Sequence, residues 1–414
     1  MTASRPIVTI VGGGAFTPRL CEALAAAIDL PELGLRLSAR RTGRLHVLAA
    51  HTARRLAVLR PGWSVEAMPT LEAALEGAAI VVLLVRVGGL EARAWDEAFP
   101  QRFGLVGDEG LGPGGIANGW RTMPVLGRLA DAIRRTAPAA RVVNLMAPLG
   151  LTTRLLLDQQ LDAFGLCELP TTTLEAWLAR AGCRKRETTW RYAGLNHLGW
   201  FWDVRSDELD VLRLLTAESP FADDAAPTDR LTYERYGAMP LRYFYEIFDA
   251  EAARRLGLAR APGRASQLLA LSETMFRRFA STPGLDTPEA KLRSTPWLDR
   301  AVAPTVAALL GGRAHEGVAN IRNGDRIPEL PPDLVVELAA TFTAEGVRLV
   351  CPGPLPPPVA AFLRLVGHSE ALAFGAAERQ DPGLLAEAIR ALPLPIPEAA
   401  VWKLAALASE REFP

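Results

Sequence analysis

Ile7-Val8-Thr9-Ile10-Val11-Gly12-Gly13-Gly14-Ala15-Phe16-Thr17-Pro18 is the stretch that decides the fold. Its first five residues are mostly apolar and β-branched, which predicts a short buried parallel strand. Three glycines follow at once. Thr17 then stands where a helix N-cap belongs, with Pro18 at the first helical position. A strand, a glycine turn and a helix form the first unit of a dinucleotide-binding α/β fold. Bare glycine backbone at a helix N-terminus suits a pyrophosphate. Gly12 and Gly14 satisfy the first two places of G-x-G-x-x-G, and Thr17 occupies the third. The alternative is a tight turn that holds no ligand.

Working outward, residues 35–38 predict the second strand. An NAD-binding fold usually ends this strand in Asp or Glu, which binds the ribose 2′-hydroxyl. Here Ala39-Arg40-Arg41 stands there, with Arg44 close by. These arginines either pair with a 2′-phosphate, favouring NADP, or are merely solvated. Residues 79–85 predict a third buried strand, ending in Arg86 and leading to Arg93. Residues 107–115 hold five glycines around Asp108 and Glu109 and read as a loop, passing close to a ligand or another backbone. Residues 116–135 have helical periodicity, and 141–145 predict a fourth strand, ending at Ala147-Pro148.

From about Cys167 the βα alternation is lost. Residues 192–204 are aromatic and β-prone. The Pro-, Asp- and Ala-rich stretch 219–229 reads as a mobile loop. Residues 233–256 and 266–279 read as helical, 334–338 as a strand, and 352–358 as a rigid turn. The fold class is therefore α/β. Residues 1–165 form a Rossmann-like domain, and 166–414 a mixed α+β catalytic and oligomerisation domain, as in lactate and malate dehydrogenases.

The bulk numbers agree with an enzyme of this kind. Over 414 residues, 49% are hydrophobic, enough for a large core. Acidic and basic residues balance at 46 each, which removes any electrostatic argument for nucleic acid or a membrane surface. Four cysteines, with no C-x-x-C pair, point to a reduced cytoplasmic protein. The chain shows no signal-peptide pattern, and no apolar run reads as long enough to span a bilayer.

The glycine turn, the stretch 86–93, Gly107 to Arg121, Gly165-Leu166-Cys167-Glu168-Leu169-Pro170, Gly194-Leu195-Asn196-His197-Leu198-Gly199-Trp200 and Val318-Ala319-Asn320-Ile321-Arg322-Asn323-Gly324 occur in one order. Together they resemble glycoside hydrolase family 4, the NAD-dependent glycosidases that depart from the two-carboxylate mechanism. The resemblance implies that NAD oxidises the sugar at C3, which acidifies the proton on C2. A tyrosine removes that proton, the group on C1 is eliminated, water adds, and the ketone is reduced again. It also implies a divalent metal, usually Mn2+, and a phosphorylated glycoside as substrate, with β-glucosides slightly preferred. Homodimers or homotetramers are expected on the same ground.

Carried over residue by residue, the resemblance assigns Gly12, Gly13, Gly14, Phe16, Thr17, Arg40 and Arg86 to the dinucleotide. Cys167 and His197 become the metal ligands, an open pair that substrate oxygens or water would complete. Taken alone, each reads more often as a core residue. Tyr243 takes the place of the base, Glu109 that of the acid that raises its basicity, and Glu168 that of a leaving-group acid. Arg93, Asn196 and Arg264 fall to the substrate, since arginine forks suit phosphate or carboxylate. The chain departs from the family at Ala39, at Ala147 in place of an asparagine, and at Ser294-Thr295-Pro296-Trp297-Leu298-Asp299. Those departures keep two other readings open: an NAD(P)-dependent oxidoreductase acting on a hydroxy acid or sugar, and a sugar-phosphate binder without turnover.

Overall fold

The computed structural model describes residues 5–27, 29–217, 226–258, 264–411 and 413. Residues 219–225 of the expected loop lie outside them. The strands are β1 (Ile7–Val11), β2 (Gly34–Ser38), β3 (Ser64–Ala67), β4 (Ile80–Leu83), β5 (Arg141–Asn144), β6 (Ala163–Gly165), β7 (Thr188–Leu195), β8 (Leu198–Ser206), β9 (Leu209–Asp210), β10 (Met239–Pro240), β11 (His315–Arg322), β12 (Val335–Thr343) and β13 (Gly346–Leu349). All belong to one sheet, whose path runs β10-β8-β7-β12-β11-β6-β5-β4-β1-β2-β3, with β13 on β12 and β9 on β8.

Strands β1 to β6 are parallel and lie in the order 3-2-1-4-5-6, the doubly wound dinucleotide order. β1 forms because Val8 and Ile10 are fully buried between helices, as are Val82 of β4 and Val143 of β5. Each such side chain stabilises the fold by about 1.5–3 kcal/mol. The order reverses between β1 and β4, so a crevice opens beyond their carboxyl ends.

The remaining strands pair antiparallel and extend the same sheet. The join is a single register contact, Asn320 of β11 opposite Gly165 of β6. β12 then places Glu337 opposite both Asn320 and Gly194. The second half thus delivers its residues to the same edge of the crevice as β6.

Several expectations are corrected. β3 and β6 were not foreseen; β3 is four half-exposed residues at the sheet edge, and β6 is only three residues long. The helix expected from residue 116 begins at Gly112 and runs to Thr136. Its first glycines serve close packing: a Cβ on Gly114 would lie 2.4 Å from the Asp96 and Asp108 carbonyl oxygens. Residues 233–256 are not one helix but Arg230–Tyr236, Arg242–Phe248 and Ala250–Arg255, split by β10. Helix α1 (Thr17–Ala26) is capped by Phe16 rather than Thr17. The helix Pro357–Arg379 is long and apolar enough to cross a membrane by length and composition, contrary to the sequence reading. Half of its most apolar stretch is buried, against the helices Gly112–Thr136 and Pro382–Arg390.

Candidate active site

A cleft of about 760 Å³ opens at the β1–β4 crevice, lined at one end by Gly12, Gly13 and Gly14. Gly12 has φ +143°, and a Cβ there would stand 2.3 Å from the Leu84 carbonyl oxygen, so no other residue fits. A Cβ on Gly13 would meet that of Ala39 at 2.8 Å, whereas Gly14 faces open space. Phe16 lines the cleft. Thr17 lies buried beneath it, its hydroxyl 3.5 Å from the Gly12 carbonyl, bracing the turn from behind. Glycine backbone bared at the start of α1 fits a pyrophosphate. Arg40 and Arg41 stand exposed on the rim, beside Arg44.

Cys167, Glu168, Asn196 and His197 line the other end of the same cleft. Cys167 follows β6 by two residues. Asn196 and His197 are the turn between the paired Leu195 and Leu198 of β7 and β8. His197 takes φ +65°, a conformation that costs a non-glycine residue of order 1–3 kcal/mol and persists only where the surroundings enforce it. Burial pushes the Cys167 thiol well above its ordinary value, and the Glu337 and Glu168 charges add to that; the Asn196 side chain hydrogen-bonds the sulfur and opposes it. Among the described residues no three His, Cys, Asp or Glu side chains form a metal-holding group. Cys167 and His197 line one cleft, and a thiol and an imidazole alone would need substrate or water to complete a cation's shell.

Beneath this pair lies a network that sequence reasoning missed. Glu337 is fully buried. Its carboxylate accepts from the Tyr192 hydroxyl, from Asn196 Nδ2 at 3.0 Å and from Asn320 Nδ2 at 2.8 Å. Burial raises its pKa, and those three hydrogen bonds pull it back. Gly199 leaves room for the Tyr192 ring, because a Cβ there would fall 1.8 Å from the phenol oxygen. The network fixes Asn196, and through the turn it positions His197. The available signal was one glutamate inside the apolar run Val335-Val336-Glu337-Leu338.

Tyr243 is carried by the helix Arg242–Phe248 and stacks on His197, ring centroids 4.3 Å apart. Burial pushes its phenol up to about 12, the Asp108 charge adds to this, and Arg264 opposes it. Glu109 instead receives the Arg86 and Arg93 guanidinium groups, Arg93 Nη1 at 3.0 Å. Arg93 also reaches Glu97 at 2.7 Å. Glu246 adds its charge to that of Asp108 at the Tyr243 phenol. Burial lowers Arg86 to about 9, with Arg93 and Arg293 adding to the effect.

Arg293, which the sequence reading also passed over, lies 5.0 Å above the Phe16 ring. Burial lowers it to about 10, and Arg93 and Arg264 push the same way. Burial raises Glu168, while Arg293 and Arg264 pull it down. Among the described residues neither Arg264 nor Arg293 makes an ion pair; Arg293 lines the cleft, and both act on Glu168, which gives its surroundings cationic capacity for an anion.

Comparison with known proteins follows this geometry. The model of the family 4 glycosyl hydrolases matches residues 6–182, and that of the family 4 glycosyl hydrolase C-terminal domain matches 192–394. A probable 6-phospho-beta-glucosidase of Bacillus subtilis (strain 168) is 26% identical over 398 residues, 92% of this chain and 90% of the relative. An alpha-galacturonidase of Thermoanaerobacterium saccharolyticum is 27% identical over 363 residues, 77% and 76% of the two chains. The 6-phospho-beta glucosidase of Thermotoga maritima, solved with manganese, NAD+ and glucose-6-phosphate, superimposes with a TM-score of 0.83 at 22% identity, covering 98% of each chain.

Proposed function

Because this chain belongs to family 4 of the glycosyl hydrolases, we propose that it hydrolyses anionic glycosides, 6-phosphorylated ones first and β-glucosides slightly preferred. The reaction would use a nicotinamide dinucleotide and a divalent cation of the kinds present in the Thermotoga structure. The observation that carries this reading is that Cys167 and His197 line one cleft with the glycine cradle, and that Tyr243 stacks on His197.

Bound in the cleft, the dinucleotide would supply reversible hydride acceptance at the sugar C3, and the cation would supply positive charge to the C2 and C3 oxygens. The chain's own residues do the rest. Gly12, Gly13 and Gly14 seat the pyrophosphate. Cys167 and His197 hold the cation, with Glu337 locking the turn that carries the imidazole. Tyr243 takes the proton from C2. Its phenol stays protonated at neutrality by itself, so it needs the cationic surroundings that Arg264 begins to provide. Glu168, whose pKa burial raises, would give the proton to the leaving oxygen on C1. Arg264 and Arg293 hold the substrate's anion, with Arg93 steadied by Glu97 and Glu109 beside them.

A panel of chromogenic aryl glycosides tests this, phosphorylated and not, α and β, with Mn2+ and either dinucleotide. Cleavage of phosphorylated members only when both additions are present supports the reading. Turnover indifferent to chelation and to dinucleotide removal would reject it.

A further inference from the structure

We infer that the adenosine end of this cleft is built for a 2′-phosphate, so that the chain prefers NADP+ to NAD+. The inference rests on the dinucleotide reading of the cleft and adds to it which dinucleotide binds.

The ribose of NAD+ presents two hydroxyl donors, and a carboxylate at the end of the second strand is the usual acceptor. β2 ends at Ser38, and the next residue is Ala39, a methyl group pressed against the Gly13 turn. Glu273, a carboxylate of the same lining, is held by Arg44 at 2.6 Å. At the end of β2 the ribose hydroxyls of NAD+ thus find the Ser38 hydroxyl and no carboxylate. The same rim presents Arg40 and Arg41, both exposed, and neither makes an ion pair among the described residues. Two guanidinium groups beside a missing carboxylate exchange a site for a diol for a site for a dianion. Helix α2 (Thr42–Leu59) starts directly after them, with no acidic residue in its first turn and no side-chain cap from Arg41. Its first amides add positive potential at the same point.

The test is calorimetric titration of the full-length protein with NAD+ and with NADP+, without sugar. The expected result is NADP+ bound about tenfold tighter or more, the size of one charge-assisted contact. Arg40→Ala and Arg41→Ala should then weaken NADP+ far more than NAD+, and Ala39→Asp should reverse the preference. NAD+ bound as tightly as NADP+, or arginine variants that weaken both equally, would overturn the preference and leave the glycosidase reading standing. If neither dinucleotide binds, that reading and this inference fall together.

Discussion

The His197 imidazole lies flat on the Tyr243 phenol ring, centroids 4.3 Å apart and planes 7° from parallel. This contact joins the β7–β8 turn to the helix Arg242–Phe248, and it sets the proposed cation ligand beside the proposed base. Tyr243→Phe keeps the ring and the stack but removes the hydroxyl. The expected result is an unchanged unfolding temperature with kcat lower by about 10²–10⁴-fold, the usual worth of a general base. Comparing kcat with the thermal midpoint of the same preparation checks it. A variant that retains its kcat would mean another group takes the C2 proton.

Cys167→Ser exchanges a soft ligand for a weak one at an otherwise similar volume. Cys167 is buried, but a serine hydroxyl can keep the hydrogen bond from Asn196, so the fold should tolerate the change. Mn2+ affinity, measured by electron paramagnetic resonance of the free ion, should fall at least as far as the 10–100-fold loss typical of outer-shell changes. Undiminished Mn2+ binding would remove the thiol from the site.

Glu337→Leu removes the acceptor on which three donors converge: the Tyr192 hydroxyl, Asn196 Nδ2 and Asn320 Nδ2. Those buried donors then lose their partner. The expected cost is about 1–3 kcal/mol, the range for leaving a buried polar group unsatisfied. Denaturant unfolding measures it. A stability equal to wild type would show that the network has rearranged without penalty.

The part of this architecture that alternates cleanly was legible from sequence. β1, the glycine turn and α1 were located because an apolar strand, three glycines and Pro18 follow each other without a gap. β3 left no trace, because Ser64-Val65-Glu66-Ala67 is a half-exposed edge strand with no apolar run. The glycines at 112, 114 and 115 misled, because tight contact with the Asp96, Asp108 and Gly110 backbone looks the same in sequence as a flexible loop. At the site, Cys167, His197 and Tyr243 emerged only through the family resemblance, since each alone also reads as a core residue. Glu337 and Arg293 were missed for a different reason. Their roles exist only in three dimensions, Glu337 between β7, its turn and β11, and Arg293 between Phe16 and Glu168.

A pH dependence of stability follows from Glu370, on the helix Pro357–Arg379. Burial pushes its carboxyl up from 4.5 to about 7, and Arg154 opposes the shift. Arg154 is already engaged by Asp333 at 2.6 Å, which limits its help. The folded state therefore binds this proton more tightly than the unfolded chain. Stability from this group is full below about pH 4.5 and is lost as pH rises toward 7. Glu370→Gln should thus unfold at a higher temperature than wild type at pH 8, with the difference closing by pH 4.5. A difference that stays constant across that window would contradict the assignment.

Removal of the sugar's C2 proton by Tyr243, in a cleft shared with the dinucleotide and the cation, is the central claim, and proton exchange measures it directly. Hydrolysis of a phosphorylated aryl glycoside in heavy water, with Mn2+ and NAD+ or NADP+, should release a sugar carrying deuterium at C2, detected by mass spectrometry and proton NMR. Complete hydrolysis with the original hydrogen retained at C2 would contradict the account.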